Sequence, residues 1–278
     1  MLSYRHAFHA GNFADVLKHI MLVECLTYLQ HKDKPFDYID THAGAGLYAL
    51  QSTEAEKLRE YQQGIGKLKR SDWPQLADYF DRIDAVNKGQ TLTFYPGSPL
   101  FIIPSMRPQD KAWLFELHPQ DVALLRQHTA NYSQVYVKQE DGLQGLLALL
   151  PPRSRRALVL IDPSYELKNE YWQVIDTLVK AHKKFPAATY LLWYPVVERG
   201  KITQMEKQLQ ASGIRDIQRF ELGLTADTLE HGMTSAGLFV VNPPWVLFDK
   251  LTQLLPRLAS MLSVDGQAFY RCDILTKE

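Results

Sequence analysis

Cysteine is nearly absent from the chain, with only Cys25 and Cys272 among 278 residues. That excludes a disulfide framework and a zinc site built from thiolates, so a reducing, cytoplasmic compartment is expected. An excess of charge of either sign is missing too, 31 Lys plus Arg standing against 31 Asp plus Glu. Indiscriminate coating of nucleic acid or anionic membrane is therefore excluded, and any polyanion has to meet a local patch. No long hydrophobic run occurs. The stretch from Ile20 to Leu29 is interrupted by Glu24 and falls short of the roughly 18 residues that cross a bilayer. The opening MLSYRHAFHAGNF lacks the apolar region of a secretory signal, so neither export by that route nor a membrane partner is expected. Gly-x-Ser-x-Gly and Gly-Lys-Ser/Thr are both missing, which removes nucleophile-elbow hydrolases and Walker-loop NTPases. There is no internal repeat and no low-complexity tract.

What is present suits a globular chain of one or two domains: 46% of residues are apolar and 11% aromatic, enough for a sizeable core. Apolar residues recur at helical spacing from Phe13 to about Tyr28, and a helix over 13–30 is expected. A short strand, Phe36 to Thr41, then runs into a glycine-rich turn, with a helix expected to start near Leu47. Residues 51–92 hold two charged helical stretches separated by Ser71 and Asp72 and read as a helical insertion. Strand patterns resume at Lys111 to Leu117, Gln134 to Lys138, Ala157 to Ile161 and Thr189 to Trp193, then around Ile217 to Leu222 and Gly237 to Val241. Several are short, continuously apolar and separated by helical segments such as 170–184, the pattern of parallel strands covered on both faces. An open α/β sheet follows.

In such sheets ligands bind beyond the carboxyl ends of the strands, so the chemistry is sought there. The first strand leads into Asp40-Thr41-His42-Ala43-Gly44-Ala45-Gly46, where Gly44 and Gly46 let backbone approach a nucleotide closely. A plain strand-to-helix turn reads the same way. A dinucleotide enzyme needs an acid ending the next strand about 20 residues on, and that distance lands near Gly64 and Gly66 in the insertion, against a nicotinamide-dependent oxidoreductase. The next strand ends at Glu116, whose carboxylate could accept from two ribose hydroxyls. After the third, Glu140-Asp141-Gly142 is either an acceptor for an adenine amine or an ordinary Asp-Gly turn. The fourth ends in Asp162-Pro163-Ser164-Tyr165. An adenine amino nitrogen is a poor nucleophile because its lone pair is delocalised, so catalysis needs acceptors for its hydrogens. The Asp162 carboxylate and the Pro163 carbonyl can serve, and Tyr165 offers a stacking face for an extruded base; otherwise the segment is a proline turn.

Asp40-x-x-x-Gly44-x-Gly46 resembles the first motif of class I S-adenosylmethionine-dependent methyltransferases, and Asp162-Pro163-Ser164-Tyr165 resembles their Asp-Pro-Pro-Tyr motif. More narrowly, the opening from Tyr4 to His19, the 40–46 loop and Tyr95-Pro96-Gly97-Ser98-Pro99 are similar to the RlmJ family, which methylates N6 of an adenine in large-subunit ribosomal RNA. The likeness runs from residue 1 to Pro244. It implies a Rossmann-like class I sheet, mostly parallel with a late antiparallel strand, over 1–50 and 93–278, with 1–34 as an N-terminal helical cap segment and 51–92 as an inserted subdomain. It also implies a methyl-donor pocket for S-adenosylmethionine using Lys18, His19, His42, Gly44, Ser98, Glu116, Asp141, Gly142 and Asp162, without a metal. Asp162 would be the catalytic acceptor, with Pro163 and Tyr165 beside it and Tyr4 and His6 over the active site. The departure is Ser164, where the motif has a second proline. A serine loosens the turn, so altered activity is expected before loss of fold.

Asn242-Pro243-Pro244-Trp245 also follows a strand and fits an Asn-Pro-Pro-aromatic pattern. Order argues against it: Asp162 follows the fourth strand, Asn242 about the sixth, at a late and peripheral hairpin. His6, His9, His19 and His42 lack the spacing of a zinc site. Three basic clusters, Arg153/Arg155/Arg156, Lys180/Lys183/Lys184 and Lys67/Lys69/Arg70, are either solvated faces and helix ends or phosphate contacts for a limited RNA shape. A monomer acting by in-line methyl transfer is expected. DNA adenine or a protein amide as acceptor, or a catalytically weak RNA-binding protein of the same fold, remain open from the residues alone.

Overall fold

Every residue of Ala157–Ile161 is buried, as an apolar strand covered on both faces must be. Around it the computed structural model describes residues 4–88, 91–228 and 232–277. Helix α1 (Phe13–Gln30) has the expected span and is capped by Asn12, whose side chain accepts from the Asp15 N–H. Strand β1 (Asp37–Asp40) follows. A helix is expected near Leu47; the structure instead forms β2 (Leu47–Ala49) there. Gly44 and Gly46 hold φ of +61° and +81°, which turns the chain so that 47–49 pairs elsewhere before helix α2 (Thr53–Leu58) starts at its Ser52 cap. Arg59, in the left-handed region at φ 54°, ends α2 after one and a half turns. The first charged stretch of the insertion therefore continues as 3-10 turns, not as a longer helix, until α3 (Ala77–Asn87). β3 (Phe94–Pro96) then pairs antiparallel with β2 in a small separate sheet.

The rest of the chain alternates. Helix α4 (Ser98–Ile102) precedes β4 (Lys111–Phe115), and α5 (Pro119–Thr129) precedes β5 (Val135–Lys138). Helix α6 (Gly142–Leu149), β6 (Ala157–Ile161), α7 (Glu170–Lys184) and β7 (Thr189–Val196) come next. Then follow α8 (Arg199–Ala211), β8 (Ile217–Gly223), β9 (Ser235–Val241), α9 (Leu247–Leu262) and β10 (Phe269–Thr276). The main sheet has the order β10-β8-β9-β7-β6-β1-β4-β5. β1, β4, β5, β6 and β7 are mutually parallel, whereas β9 runs antiparallel to β7 and β8, and β10 antiparallel to β8. β9 is the expected late antiparallel strand, and β10 at the sheet's edge adds a second.

Alternate side chains of β6 serve the two faces. Leu158 and Leu160 join a core with α1, α9 and the insertion residues Ile65, Trp73 and Phe80. Val159 and Ile161 pack with Val174 and Leu178 of α7 and Met205 of α8. Among the described residues no helix is long and apolar enough to cross a membrane.

β9 corrects one expectation. It is the seventh strand of the main sheet and sits between β7 and β8, not at the periphery. Because it runs backwards, its end at Val241 pairs with Tyr190 at the start of β7, so Asn242 lies at the amino edge of the sheet.

Candidate active site

A cavity of about 550 Å³ opens at the carboxyl edge. Every residue expected in the donor pocket or beside the catalytic acceptor lines it: Tyr4, His6, Lys18, His19, His42, Gly44, Ser98, Glu116, Asp141, Gly142, Asp162, Pro163 and Tyr165. The topology explains the convergence, because the loops after β1, β4, β5 and β6 all leave the sheet at this edge and the N-terminal end of α1 points to it.

The centre is a chain of buried polar groups. Lys18 Nζ donates to Asp162 Oδ2 at 2.6 Å and contacts Asp15 Oδ1 at 2.8 Å. Asp15 Oδ2 in turn accepts from His6 Nε2 at 2.8 Å and from the Gly11 N–H at 2.9 Å. The other ring nitrogen of His6, Nδ1, is hydrogen-bonded to the Tyr4 hydroxyl at 2.9 Å. Burial pushes the Asp162 carboxyl up to about 6 against the pull of Lys18. Burial acts the same way on Asp15, but the His6 ring and the Lys18 ammonium hold that carboxyl well below the usual carboxylate range. Lys18, between two carboxylates, stays protonated in spite of its burial. Tyr165 takes a left-handed φ of 56°, a strained conformation for an aromatic residue. Its hydroxyl donates to the Trp193 carbonyl at 2.6 Å and its ring lies 4.5 Å from that of Tyr171.

The other half of the cavity is built from backbone turns. Glu116 accepts from the Gly44 N–H through Oε2 at 2.9 Å and from the His118 N–H through Oε1 at 2.7 Å, while burial raises its carboxyl. A Cβ on Gly142 would sit 1.9 Å from the Thr41 carbonyl oxygen, so only glycine lets the start of α6 approach the β1 loop this closely. Asp141 caps α6, Oδ1 accepting from the Leu143 and Gln144 N–H groups at 2.9 and 3.1 Å, and it also lines the cavity. Ser98 donates to Asp40 Oδ2 at 2.7 Å, as does the Tyr38 hydroxyl. Asp40 is fully buried, so the motif's first acid braces the loop and Ser98. His42 is drawn down to about 4 by burial. His19 is held by the Tyr95 hydroxyl at 2.9 Å and stacked on Phe101, a neutral ring in the wall.

Residues missed from the sequence are Asp15, Glu60, Tyr48 and Trp193, all of which line the cavity. For Asp15 a signal existed: Asn12-Phe13-Ala14-Asp15 is a capping-box spacing, and Asp15 precedes Lys18 by one helical turn. The other three are brought in by tertiary contacts.

The basic clusters are mostly elsewhere. Arg153, Arg155 and Arg156 precede β6, and Lys180, Lys183 and Lys184 precede β7, so both lie toward the amino edge, away from the cavity. Arg156 is spent on the Leu29 and Lys34 carbonyls, and Arg70 on Asp81 and Asp84. Asn242 donates to the Ala188 carbonyl at 3.3 Å, at that same far edge.

The family described as "Ribosomal RNA large subunit methyltransferase D, RlmJ" matches residues 33–274. The chain is 45% identical over 281 residues to the "Ribosomal RNA large subunit methyltransferase J" of Haemophilus influenzae, covering 100% of both. Its identity to the protein of the same description from Escherichia coli K12 is 47% over 268 residues, covering 96% of each. A crystal structure of a Legionella pneumophila protein superposes with a TM-score of 0.88 at 39% identity, covering 96% of this chain and 98% of that one. With its sheet order, the fold is the Rossmann-like fold of class I methyltransferases. The chain belongs to the RlmJ family of ribosomal RNA large subunit methyltransferases.

Proposed function

We propose that this chain transfers the methyl group of S-adenosylmethionine to N6 of an adenine in large-subunit ribosomal RNA. The observation that carries the reading is the Asp162 carboxylate, at the end of β6 and tied to Lys18, sharing one cavity with the glycine turn and Glu116. The cavity has the size of a nucleoside site. Among the described lining residues the carboxylates, including Asp15, Glu116, Asp141 and Asp162, outnumber the one ammonium, Lys18, which suits a cationic donor. When bound, S-adenosylmethionine supplies an electrophilic methyl carbon on its sulfonium sulfur.

The protein's part is positioning and electrostatics. Each Glu116 oxygen already accepts one N–H and keeps a lone pair for a ribose hydroxyl. Asp162 accepts one N6 hydrogen and the Pro163 carbonyl the other, returning electron density to nitrogen as it bonds to the methyl carbon and the carbon–sulfur bond breaks. Lys18 orients Asp162 and keeps charge on it, and Tyr165 presents a ring braced by Trp193 and Tyr171. The displaced N6 proton is held at the Asp162 carboxylate before passing to water.

Transfer of labelled methyl groups to protein-free ribosomal RNA from cells lacking this protein, followed by nucleoside analysis, tests the reading. Label in N6-methyladenosine is expected; donor binding without labelled RNA would move the acceptor to DNA adenine or a protein amide.

Two further outcomes follow. Asp162 has to be ionised to accept a hydrogen, so kcat/KM is expected to fall as pH drops through about 6, tenfold per unit below that point; a flat profile from pH 5 to 8 contradicts an essential Asp162 carboxylate. Glu116→Ala is expected to weaken donor binding by about 1.5–3 kcal/mol, the worth of hydrogen bonds to a charged group. Unchanged affinity in titration calorimetry would remove Glu116 from the donor site.

A further inference from the structure

Tyr4 reaches the cavity from a segment with little structure of its own, one 3-10 turn at His6–Phe8. The Tyr4 ring stacks on His9 with centroids 5.5 Å apart and planes 7° from parallel. His9 Nδ1 donates to Glu60 Oε1 at 3.0 Å, and Asn12 Nδ2, on the cap of α1, donates to Glu60 Oε2 at 2.9 Å. Glu60 is the residue of the 51–92 stretch that lines the cavity among the described residues. It is placed there by the left-handed turn at Arg59 and the 3-10 turn that follows.

We propose that the helical insertion is part of the catalytic machinery, with Glu60 as a positioning residue that fixes His9 and, through the His9 ring, the Tyr4 side chain over the acceptor half of the site. This rests on the methyltransferase reading above and adds to it a working role for the insertion. The carboxylate is bidentate toward two different pieces of the N-terminal segment, so it sets their spacing as well as their orientation. Tyr4 then meets His6, and His6 meets Asp15, Lys18 and Asp162 in turn. A displaced Tyr4 ring would disturb the wall against which an extruded base has to lie.

The docking of the insertion does not depend on Glu60. Gly64 packs so tightly on the N-terminal segment that a Cβ there would come within 2.1 Å of the Gly11 carbonyl oxygen, and the Ile65 N–H donates to that oxygen at 2.9 Å. Ile65, Trp73 and Phe80 are buried in the common core. Glu60, by contrast, is 34% exposed at its side chain, so its replacement leaves the fold in place.

The test compares wild type, Glu60→Gln, His9→Ala and the double variant. Misplacement of an active-site group on this scale lowers turnover by about ten- to a hundredfold, and that is the fall in kcat expected for Glu60→Gln. KM for RNA and affinity for the donor should stay within about twofold, a split that general loosening of the fold does not produce. Because Glu60 acts through His9, adding Glu60→Gln to His9→Ala should change kcat by less than about twofold. Full multiplicative loss in the double variant, or wild-type kcat in Glu60→Gln, overturns the proposal. Trypsin cleavage after Arg5 supplies a readout free of activity: Glu60→Gln should speed it several-fold while cleavage elsewhere keeps its rate. If wild type methylates no RNA, the functional reading fails by itself, and unchanged cleavage after Arg5 is then the result that rejects a holding role for Glu60.

Discussion

Asp162→Asn is expected to lower single-turnover methyl transfer by about 10²–10³-fold, the usual scale for removing one preorganised electrostatic partner of a transition state. The asparagine oxygen can still accept from Lys18, so the shape of the site survives. What goes is the negative charge that compensates nitrogen as it becomes cationic. Donor affinity should change little, because the glycine turn, Glu116 and Asp141 are on other loops of the same edge. Labelled transfer measured with donor titration separates the two effects. Asn242→Gly is the companion control, since Asn242 holds φ 52° and glycine takes that conformation without steric cost. It is expected to keep full turnover. An Asp162→Asn enzyme of near wild-type rate would be incompatible with the proposed role of Asp162.

Lys18→Met is the second large effect, this time on stability. Lys18 is 4% exposed and lies between Asp15 and Asp162. Removing one partner of a buried ion pair costs about 3–5 kcal/mol because the remaining charge is left uncompensated. The sign of the pH dependence follows from Asp162. Burial raises its folded carboxyl to about 6 from an ordinary 3.8, and without Lys18 it rises further. A carboxyl that binds its proton more tightly when folded favours the folded state in acid, and that contribution is lost as pH rises through its folded value. The variant's deficit in urea unfolding should therefore be larger at about pH 8 than at about pH 5. Lys18→Met combined with Asp162→Asn should recover part of the loss, since Asp15 keeps His6 and the Gly11 N–H. A deficit independent of pH would mean that the stem of Lys18, and not its charge, supports the core.

Lys18 also shows why some of the site was legible and some was not. Loop motifs carry their own geometry: Gly44 and Gly46 need positive φ, and Asp162 and Glu116 end strands whose apolar runs mark them as central. Glu60 had no such mark. It is one carboxylate in a charged helical stretch, and only the turn at Arg59 and the packing of Gly64 on Gly11 turn it inward. The basic clusters read either way in sequence, as solvated faces and helix ends or as phosphate contacts. Strand direction places those before β6 and β7 at the far edge, and Arg70 is paired within the insertion.

Alternation of buried strands with amphipathic helices was enough to determine an open α/β sheet, because a strand covered on both faces has to be apolar throughout. The motif residues after β1, β4, β5 and β6 follow from that fold, since parallel strands deliver every following loop to one edge. Tertiary structure alone decided the small β2–β3 sheet, whose three-residue strands hold too little periodicity to declare themselves. It also decided the direction of β9, which carries Asn242 to the amino edge. Above all it decided the chain of contacts from Glu60 to Asp162, where side chains from the insertion, the N-terminal segment, α1 and the β6 loop meet. Burial gives those contacts their strength, and burial is a property of the assembled core that no single segment of the sequence contains.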